Sequence, residues 1–181
     1  MPVVFDKLNF SNILSGSSII LACVLIAVCL SLRSEHRKFD NELVKAKQQY
    51  EQNFPDAPQF STSGAPTIYE FLADKYENVF ILMIVFLTGK VLLIKQEFAT
   101  FSLKPISYIT CFSSLAFAFN QLWKIFGAKS DRREYLFTWD EPIDRVMRSA
   151  VPWDWLCLII VGVLLLSELI SIFVSKRKRA I

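Results

Sequence analysis

The chain has 181 residues, of which 53% are hydrophobic, with five glycines and a formal net charge of +3. These values exclude collagen-like, glycine-rich linker and disordered proteins. The apolar residues concentrate in four windows that are nearly free of charge, at residues 13–32, 78–94, 106–122 and 155–174. A bilayer core requires about 20 helical residues, with about 17 as the lower limit, so each window is long enough to span a membrane.

Four buried helices of a soluble bundle would be the alternative. A soluble helix needs a polar face, and the run from Ile19 to Leu30 has none. We therefore predict an all-α integral membrane protein, in which residues 1–181 form a single domain with four transmembrane helices.

Four spans place both termini on one side of the membrane, which we call face A. The loops 33–77 and 123–154 then lie on the opposite side, face B, with twelve basic and fourteen acidic residues. Basic residues are denser on face A, and the last of them are suited to anionic lipid headgroups: Lys176, Arg177, Lys178 and Arg179. We expect cytoplasmic termini, although the raw count of basic residues favours the reverse orientation, which stays open.

The segment after the first span keeps an apolar stripe at helical spacing: Phe39, Leu43, Ala46, Tyr50 and Phe54. We predict that the first helix continues beyond the bilayer by roughly 30 Å and ends at Pro55. The stripe must cover another surface, either in this chain or in a partner. Thr67 and Glu70 then form a capping box that starts the second helix.

In the second face B loop, Asp140 and Pro142 precede an amphipathic stretch that Pro152 is expected to end: Ile143, Val146, Met147 and Ala150. This pattern predicts a short interfacial helix, lying in the membrane plane between the third and fourth spans.

All four tryptophans lie in this second loop or at the span ends that flank it: Trp123, Trp139, Trp153 and Trp155. Indole rings favour the headgroup level of a membrane, so an ordinary interfacial aromatic belt is one interpretation. The other is a partner-binding platform, because exposed aromatic residues often anchor protein interfaces.

Lys90 and Glu168 are the only acidic or basic side chains inside the four windows. They lie about 6 Å and 9 Å from the face A boundary, on two helices that run in the same direction. They could form a structural pair, contribute to conduction or proton transfer, or contact another subunit. Lys90 could instead extend to the face A interface. Near the face B end of the third span, Asn120 and Gln121 are predicted to be interfacial residues or interhelical hydrogen-bond donors.

Small residues recur at helical spacing in two spans and predict close helix packing there: Cys23, Ala27 and Ser31 in the first, Thr110, Ser114 and Ala118 in the third. The four cysteines all fall inside spans, so the loops contain no disulfide framework.

The chain has few features of an enzyme. Its single histidine, His36, lies between Glu35 and Arg37, where a solvated surface residue is expected. HExxH, CxxC, GxSxG and phosphate-binding glycine-rich motifs do not occur, and we predict neither a cofactor nor a metal site. The loop acids are expected to pair with neighbouring arginines: Asp140, Glu141, Asp144 and Asp154.

The sequence resembles no family that its motifs identify. We expect a noncatalytic integral membrane subunit or scaffold that docks other membrane proteins through its helical bundle and the loops 33–77 and 123–154. The alternative is a small homo-oligomeric transporter or channel that uses Lys90 and Glu168, and a membrane enzyme ranks third. The expected partners are the lipid bilayer and other membrane protein subunits. A homo-oligomer stays open, and nucleic acid is not expected.

Overall fold

The structure, a computed structural model, describes the backbone of residues 10–55, 67–95, 104–130 and 140–177. Side chains are described for residues 14–45, 48–55, 67–94, 104–129 and 153–173. The chain forms four α-helices: α1 Phe10–Asn53, α2 Ile68–Lys95, α3 Lys104–Ser130 and α4 Asp140–Arg177. The described ranges contain no strand, so the predicted all-α class is confirmed.

The four helices form an antiparallel bundle. Each helix packs against the next along the chain, and α4 also packs against α1. As a result, α2 and α4 run in the same direction and lie diagonally across the core from each other. We call the end that contains the first residues of α1 the face A end, and the opposite end the face B end.

Buried residues recur on each helix mainly at alternating spacings of three and four, which we call the core stripe of that helix. On α1 the core stripe is Ser18, Ala22, Leu25, Cys29, Leu32 and His36, and on α4 it is Asp154, Cys157, Val161, Leu164 and Glu168. An average spacing of 3.5 residues keeps one face of a helix turned towards its neighbours, as in coiled coils and four-helix bundles. The middle of the core is apolar and includes Leu25, Met83, Phe86, Leu115 and Leu164.

Among the described residues, three helices are long and apolar enough to cross a membrane: α1 over Leu14–Asn53, α2 over Ile68–Ile94 and α4 over Trp153–Phe173. In their most apolar windows only 22%, 28% and 33% of the residues are buried, so most of these apolar side chains face outward. Soluble monomers rarely expose so much contiguous apolar surface. The exterior therefore indicates a membrane protein. α3 is comparably long but less apolar.

The α1 and α2 helices stay in contact beyond the apolar part of the bundle. Arg33 donates to Glu77 Oε2, with 2.9 Å between its Nη2 and that oxygen. Further along, the Thr67 hydroxyl donates to Asp40. Thr67 also accepts a hydrogen bond from the Glu70 backbone N–H at 3.0 Å, the geometry of a helix N-cap. These contacts hold α1 against α2 up to the first turn of α2.

Gly89 allows α2 and α3 to approach closely near the face A end. A Cβ atom at this position would lie 2.7 Å from Cys111 Sγ and 3.5 Å from the Ser107 carbonyl oxygen. A larger residue at position 89 would therefore require the Cys111 thiol or the helices to shift.

Two sequence predictions about helix boundaries and faces need correction. The interfacial stretch predicted to end at Pro152 is not a separate helix, because α4 continues without a break from Asp140 to Arg177. In addition, Cys23, Ala27 and Ser31 face outward, whereas Ser114 and Ala118 are buried. The packing face of α1 is its core stripe, which lies on the other side of the helix from these small residues.

Candidate functional site

Lys90 and Glu168 form an ion pair that crosses the core diagonally from α2 to α4. Lys90 Nζ contacts Glu168 Oε1, and only 5% and 1% of the two side chains are exposed. The Lys90 ammonium therefore points into the bundle instead of extending along α2 to the face A boundary. It also lies 5.7 Å from the ring centre of Phe86, within range of a cation–π interaction.

The Glu168 carboxylate is incompletely satisfied. Neither of its oxygens accepts a hydrogen bond from a described residue, because the Lys90 contact meets the distance of an ion pair without the geometry of a hydrogen bond. Buried carboxylates usually accept several hydrogen bonds. Glu168 thus depends on one charged neighbour.

Hydroxyl and thiol groups surround this pair, and we call the whole group the face A layer. Ser18 and Ser167 share a hydrogen bond of 3.1 Å between α1 and α4. Each hydroxyl also lies within hydrogen-bond distance of a backbone carbonyl of its own helix, Ser18 of Leu14 and Ser167 of Leu164. Because each hydroxyl has one proton, one serine donates to the other and the second donates to its own carbonyl. From α3, the Cys111 thiol contacts the Phe86 carbonyl at 3.7 Å.

A second buried polar group, the face B layer, receives one side chain from each helix: His36, Tyr76, Lys129 and Asp154. The Tyr76 hydroxyl donates to one carboxylate oxygen of Asp154, and Lys129 donates to the other. The Asp154 carboxylate is therefore held by a cation and a hydroxyl on two different helices. This arrangement corrects the expectation that Asp154 pairs with a nearby arginine.

His36 is buried, so the prediction of a solvated surface residue at this position is wrong. Its Nδ1 lies 2.7 Å from the Leu32 carbonyl oxygen, and its ring centre lies 5.4 Å from that of Tyr76. The charge-free part of α1 ends at Leu32, so His36 lies beyond the apolar window. Burial lowers the pKa of His36 below its usual value, so the ring is neutral at pH 7 and Nδ1–H donates to the carbonyl.

The two layers occupy equivalent positions on the same two helices. Tyr76 and Lys90 are two heptads apart on α2, and Asp154 and Glu168 are two heptads apart on α4. Two heptads of helix measure about 21 Å. The pairs Tyr76–Asp154 and Lys90–Glu168 therefore repeat one diagonal contact at both ends of an apolar section.

The predicted partner-binding stripe divides into an inner and an outer part. Phe39 packs against Tyr69, with 5.9 Å between ring centres, so it contributes to the bundle itself. Leu43 and Phe54 are 36% and 57% exposed. Tyr50 is half-buried, and its ring contacts that of Phe54. The outer part thus presents apolar surface beyond the contact between α1 and α2.

The described tryptophans lie on the outside of the bundle. Trp123 stacks on Phe119, and Trp155 meets Phe126 edge to face across α3 and α4. Trp153 is also exposed. Trp139 and the side chains of the predicted headgroup contacts lie outside the described residues: Lys176, Arg177, Lys178 and Arg179.

The two predicted amides on α3 differ in environment. Asn120 is exposed, whereas Gln121 is half-buried, and its buried Oε1 accepts no hydrogen bond from a described residue. Neither contacts Lys90 or Glu168 in a described hydrogen bond.

The described parts of the chain bring buried, oppositely charged side chains into contact in both layers. No group of three or more histidine, cysteine or carboxylate side chains there could hold a metal ion. Among the described residues, the buried acids and bases lie in the two layers: Lys90 and Glu168 at face A, and His36, Lys129 and Asp154 at face B. No protein-family model, curated protein or solved structure matches the chain, so the assignment of a function depends on these contacts alone.

Proposed function

We propose that the protein is a noncatalytic integral membrane subunit with four transmembrane helices. In this proposal, a helix of another membrane protein docks along residues 41–54 of α1, which we call the α1 extension. The aromatic rim of Trp123, Trp153 and Trp155 anchors the bundle at the face B interface.

The distribution of side chains on α3 supports a fourth span. Its polar residues Ser107 and Ser114 are buried in the core, whereas Ile106, Ile109 and Phe117 are exposed on the outside. Two of the polar residues of α3 therefore lie inside the bundle, and the outer face up to Phe117 is apolar enough to contact lipid, whereas the exposed Asn120 lies near the face B end.

Ion pairing on face B supports cytoplasmic termini. Arg33 and Arg37 follow the first span, but both pair with acids of α2, Asp74 and Glu77. Labelling of cysteines introduced at Ser61 and Ser175 in sealed vesicles tests this orientation. Labelling of the Ser175 position by a reagent confined to the extracytoplasmic side would overturn it.

One observation carries the docking proposal, namely that the apolar stripe of α1 does not end where the bundle contacts end. From Ser18 to Phe39 it packs on other helices, and the same spacing continues through Leu43 to Phe54. The spacing of this stripe is continuous with that of a helix–helix interface, so the stripe is better suited to packing against another helix than to contact with water or lipid. The flanking charges, Glu42, Lys45 and Glu51, are mixed in sign and keep the segment at a polar surface.

The interior of the bundle favours a subunit over a transporter. Between the two polar layers the core is filled by apolar side chains, including Met83, Phe86 and Leu164. A solute would have to displace this section to cross a single bundle. Lys90 and Glu168 also face the core of one chain, where a pathway between copies would not meet them.

The α1 extension provides a matched pair of variants for the test. Leu43→Glu combined with Phe54→Glu places charge on the stripe. Val44→Glu places the same charge on a neighbouring residue that is 42% exposed and points about 100° away. We expect wild type and Val44→Glu to copurify with a second membrane protein at fixed stoichiometry in mild detergent. The double variant should lose that protein while its thermal unfolding midpoint stays unchanged.

Three results would overturn the docking proposal. Wild-type protein that purifies as a pure homo-oligomer would favour the transporter function. Retention of the partner by the double variant would show that the apolar stripe is not the docking surface. The third is a disulfide within one chain between cysteines introduced at Leu43 and Ile143. That bond would show that α4 of the same chain covers the stripe.

A further inference from the structure

A pair of cysteine side chains lies in the core next to the face B layer. Cys29 of α1 and Cys157 of α4 are both fully buried and carry free thiols in the structure. The two side chains lie within hydrogen-bonding range of each other. The other cysteines are placed differently, since Cys23 faces outward from α1 and Cys111 contacts the Phe86 carbonyl from α3. Cys29 and Cys157 therefore form a specific pair.

The register of α1 and α4 independently places the two cysteines at the same level. The hydrogen bond between Ser18 and Ser167 marks one level of this antiparallel helix pair. Cys29 lies eleven residues after Ser18, and Cys157 lies ten residues before Ser167. These separations correspond to about 16 Å and about 15 Å of helix. Both cysteines also belong to the core stripes of their helices, so the helix packing itself brings them together.

The pair lies close to the face B boundary. Cys29 is three residues before Leu32, and Cys157 is two residues after Trp155, where the first and fourth apolar windows meet the face B loops. These spacings correspond to about 5 Å and about 3 Å of helix. With cytoplasmic termini, face B is the extracytoplasmic side, where cells oxidise thiols. An oxidant on that side thus needs to reach less than two helical turns into the span.

We propose that Cys29 and Cys157 are joined by a disulfide, an inference that rests on the proposed extracytoplasmic position of face B. The oxidant is a disulfide-bearing thiol oxidase or small-molecule disulfide on that side. One cysteine attacks the oxidant disulfide, which forms a mixed disulfide and releases one oxidant thiol. The other cysteine then attacks the mixed disulfide and releases the second oxidant thiol. The bond between the cysteines replaces that of the oxidant, which is reduced by two electrons and takes up both thiol protons.

Burial determines when this exchange takes place. Both side chains are inaccessible once the bundle is closed, so the oxidant must react before α4 packs against α1. The same burial then shields the completed bond from reductants. The disulfide would join the first helix to the last, which the chain itself connects only through α2 and α3. It would therefore close the ring of four helices covalently at its face B end.

Counting of free thiols tests the disulfide. Cells that produce the protein are quenched in acid, which preserves the oxidation state, and the protein is then unfolded in detergent with excess maleimide and weighed by mass spectrometry. The chain has four cysteines. We expect wild type to carry two maleimides without reduction and four after reduction. Cys29→Ser and Cys157→Ser should each carry three without reduction. Cys23→Ser is the matched control on the outer side of α1, and it should carry one.

Four maleimides on unreduced wild type would overturn the proposal, and so would any count other than three in Cys29→Ser. If a serine variant does not accumulate, digestion of unreduced wild type decides, because a linked peptide that contains Cys29 and Cys157 is required. Labelling at Ser175 in sealed vesicles separates the two possible failures. Four free thiols with cytoplasmic termini would remove the disulfide alone, whereas four free thiols with extracytoplasmic termini would remove the proposed orientation as well.

Discussion

The two polar layers are built from the same helices at the same spacing, yet their acids are compensated differently. At the face B end, Asp154 accepts hydrogen bonds from both Tyr76 and Lys129. At the face A end, Glu168 contacts Lys90 and accepts no hydrogen bond from a described residue. The comparison separates a connected polar network, which links three helices through one carboxylate, from a lone ion pair, which links two helices through one contact.

The difference also follows from chain position. The face B layer is next to the α1 and α2 segments that continue into charged sequence, and Arg33 and Glu77 form a further contact beside it. The face A layer lies within the apolar part of all four helices. A network is therefore located where the bundle meets polar surroundings, and the isolated pair is located where few donors are available.

The largest expected effect comes from breaking the face B network at its acid. Asp154→Ala leaves the Lys129 ammonium buried without a counter-charge and the Tyr76 hydroxyl without its acceptor. We expect a loss of about 3–5 kcal/mol in the free energy of unfolding, the usual cost of removing one partner of a buried ion pair. Chemical unfolding in detergent micelles measures it. Asp74→Ala removes an exposed acid of α2 and serves as the control, and equal losses in the two variants would contradict the network.

An intermediate effect is expected from Glu168→Gln at the face A end. The amide keeps the size of the side chain but removes the charge that holds Lys90. Because Lys90 can extend to the face A boundary, we expect a loss of about 1–3 kcal/mol, smaller than that of Asp154→Ala. Lys90→Met in the same chain should recover part of this loss. Strict additivity of the two single substitutions, measured by the same unfolding experiment, would show that the residues do not interact in solution.

The sequence predicts much of the face A layer because a charge in an apolar window is conspicuous. Lys90 and Glu168 stand out, and their similar depth on parallel helices indicates that contact is feasible. Helix rotation decides whether they meet, and it depends on close approaches such as that of Gly89 to Cys111. The rotation of each helix about its axis cannot be derived from a single sequence.

The face B layer is harder to predict because its members lie in charged sequence, where polar side chains are ordinary. His36 between Glu35 and Arg37 resembles a surface residue, yet it is four positions after Leu32 on the core stripe of α1. Extending the spacing of three and four beyond the apolar windows would have identified it. The same extension along α4 places Asp154 two heptads before Glu168.

The smallest expected effect lies outside both layers, at the exposed end of the contact between α1 and α2. Arg37 Nη2 is 3.3 Å from Asp74 and 3.4 Å from Glu77, and about half of the Arg37 side chain is exposed. Solvent screens such pairs, so Arg37→Ala should cost no more than about 0.5 kcal/mol, and high salt should remove the difference from wild type. Unfolding at low and high ionic strength measures both. A loss approaching that of Asp154→Ala would mean that the face B network extends outward through Glu77 and Arg33, and that burial is not what distinguishes the strong contacts of this bundle from the weak ones.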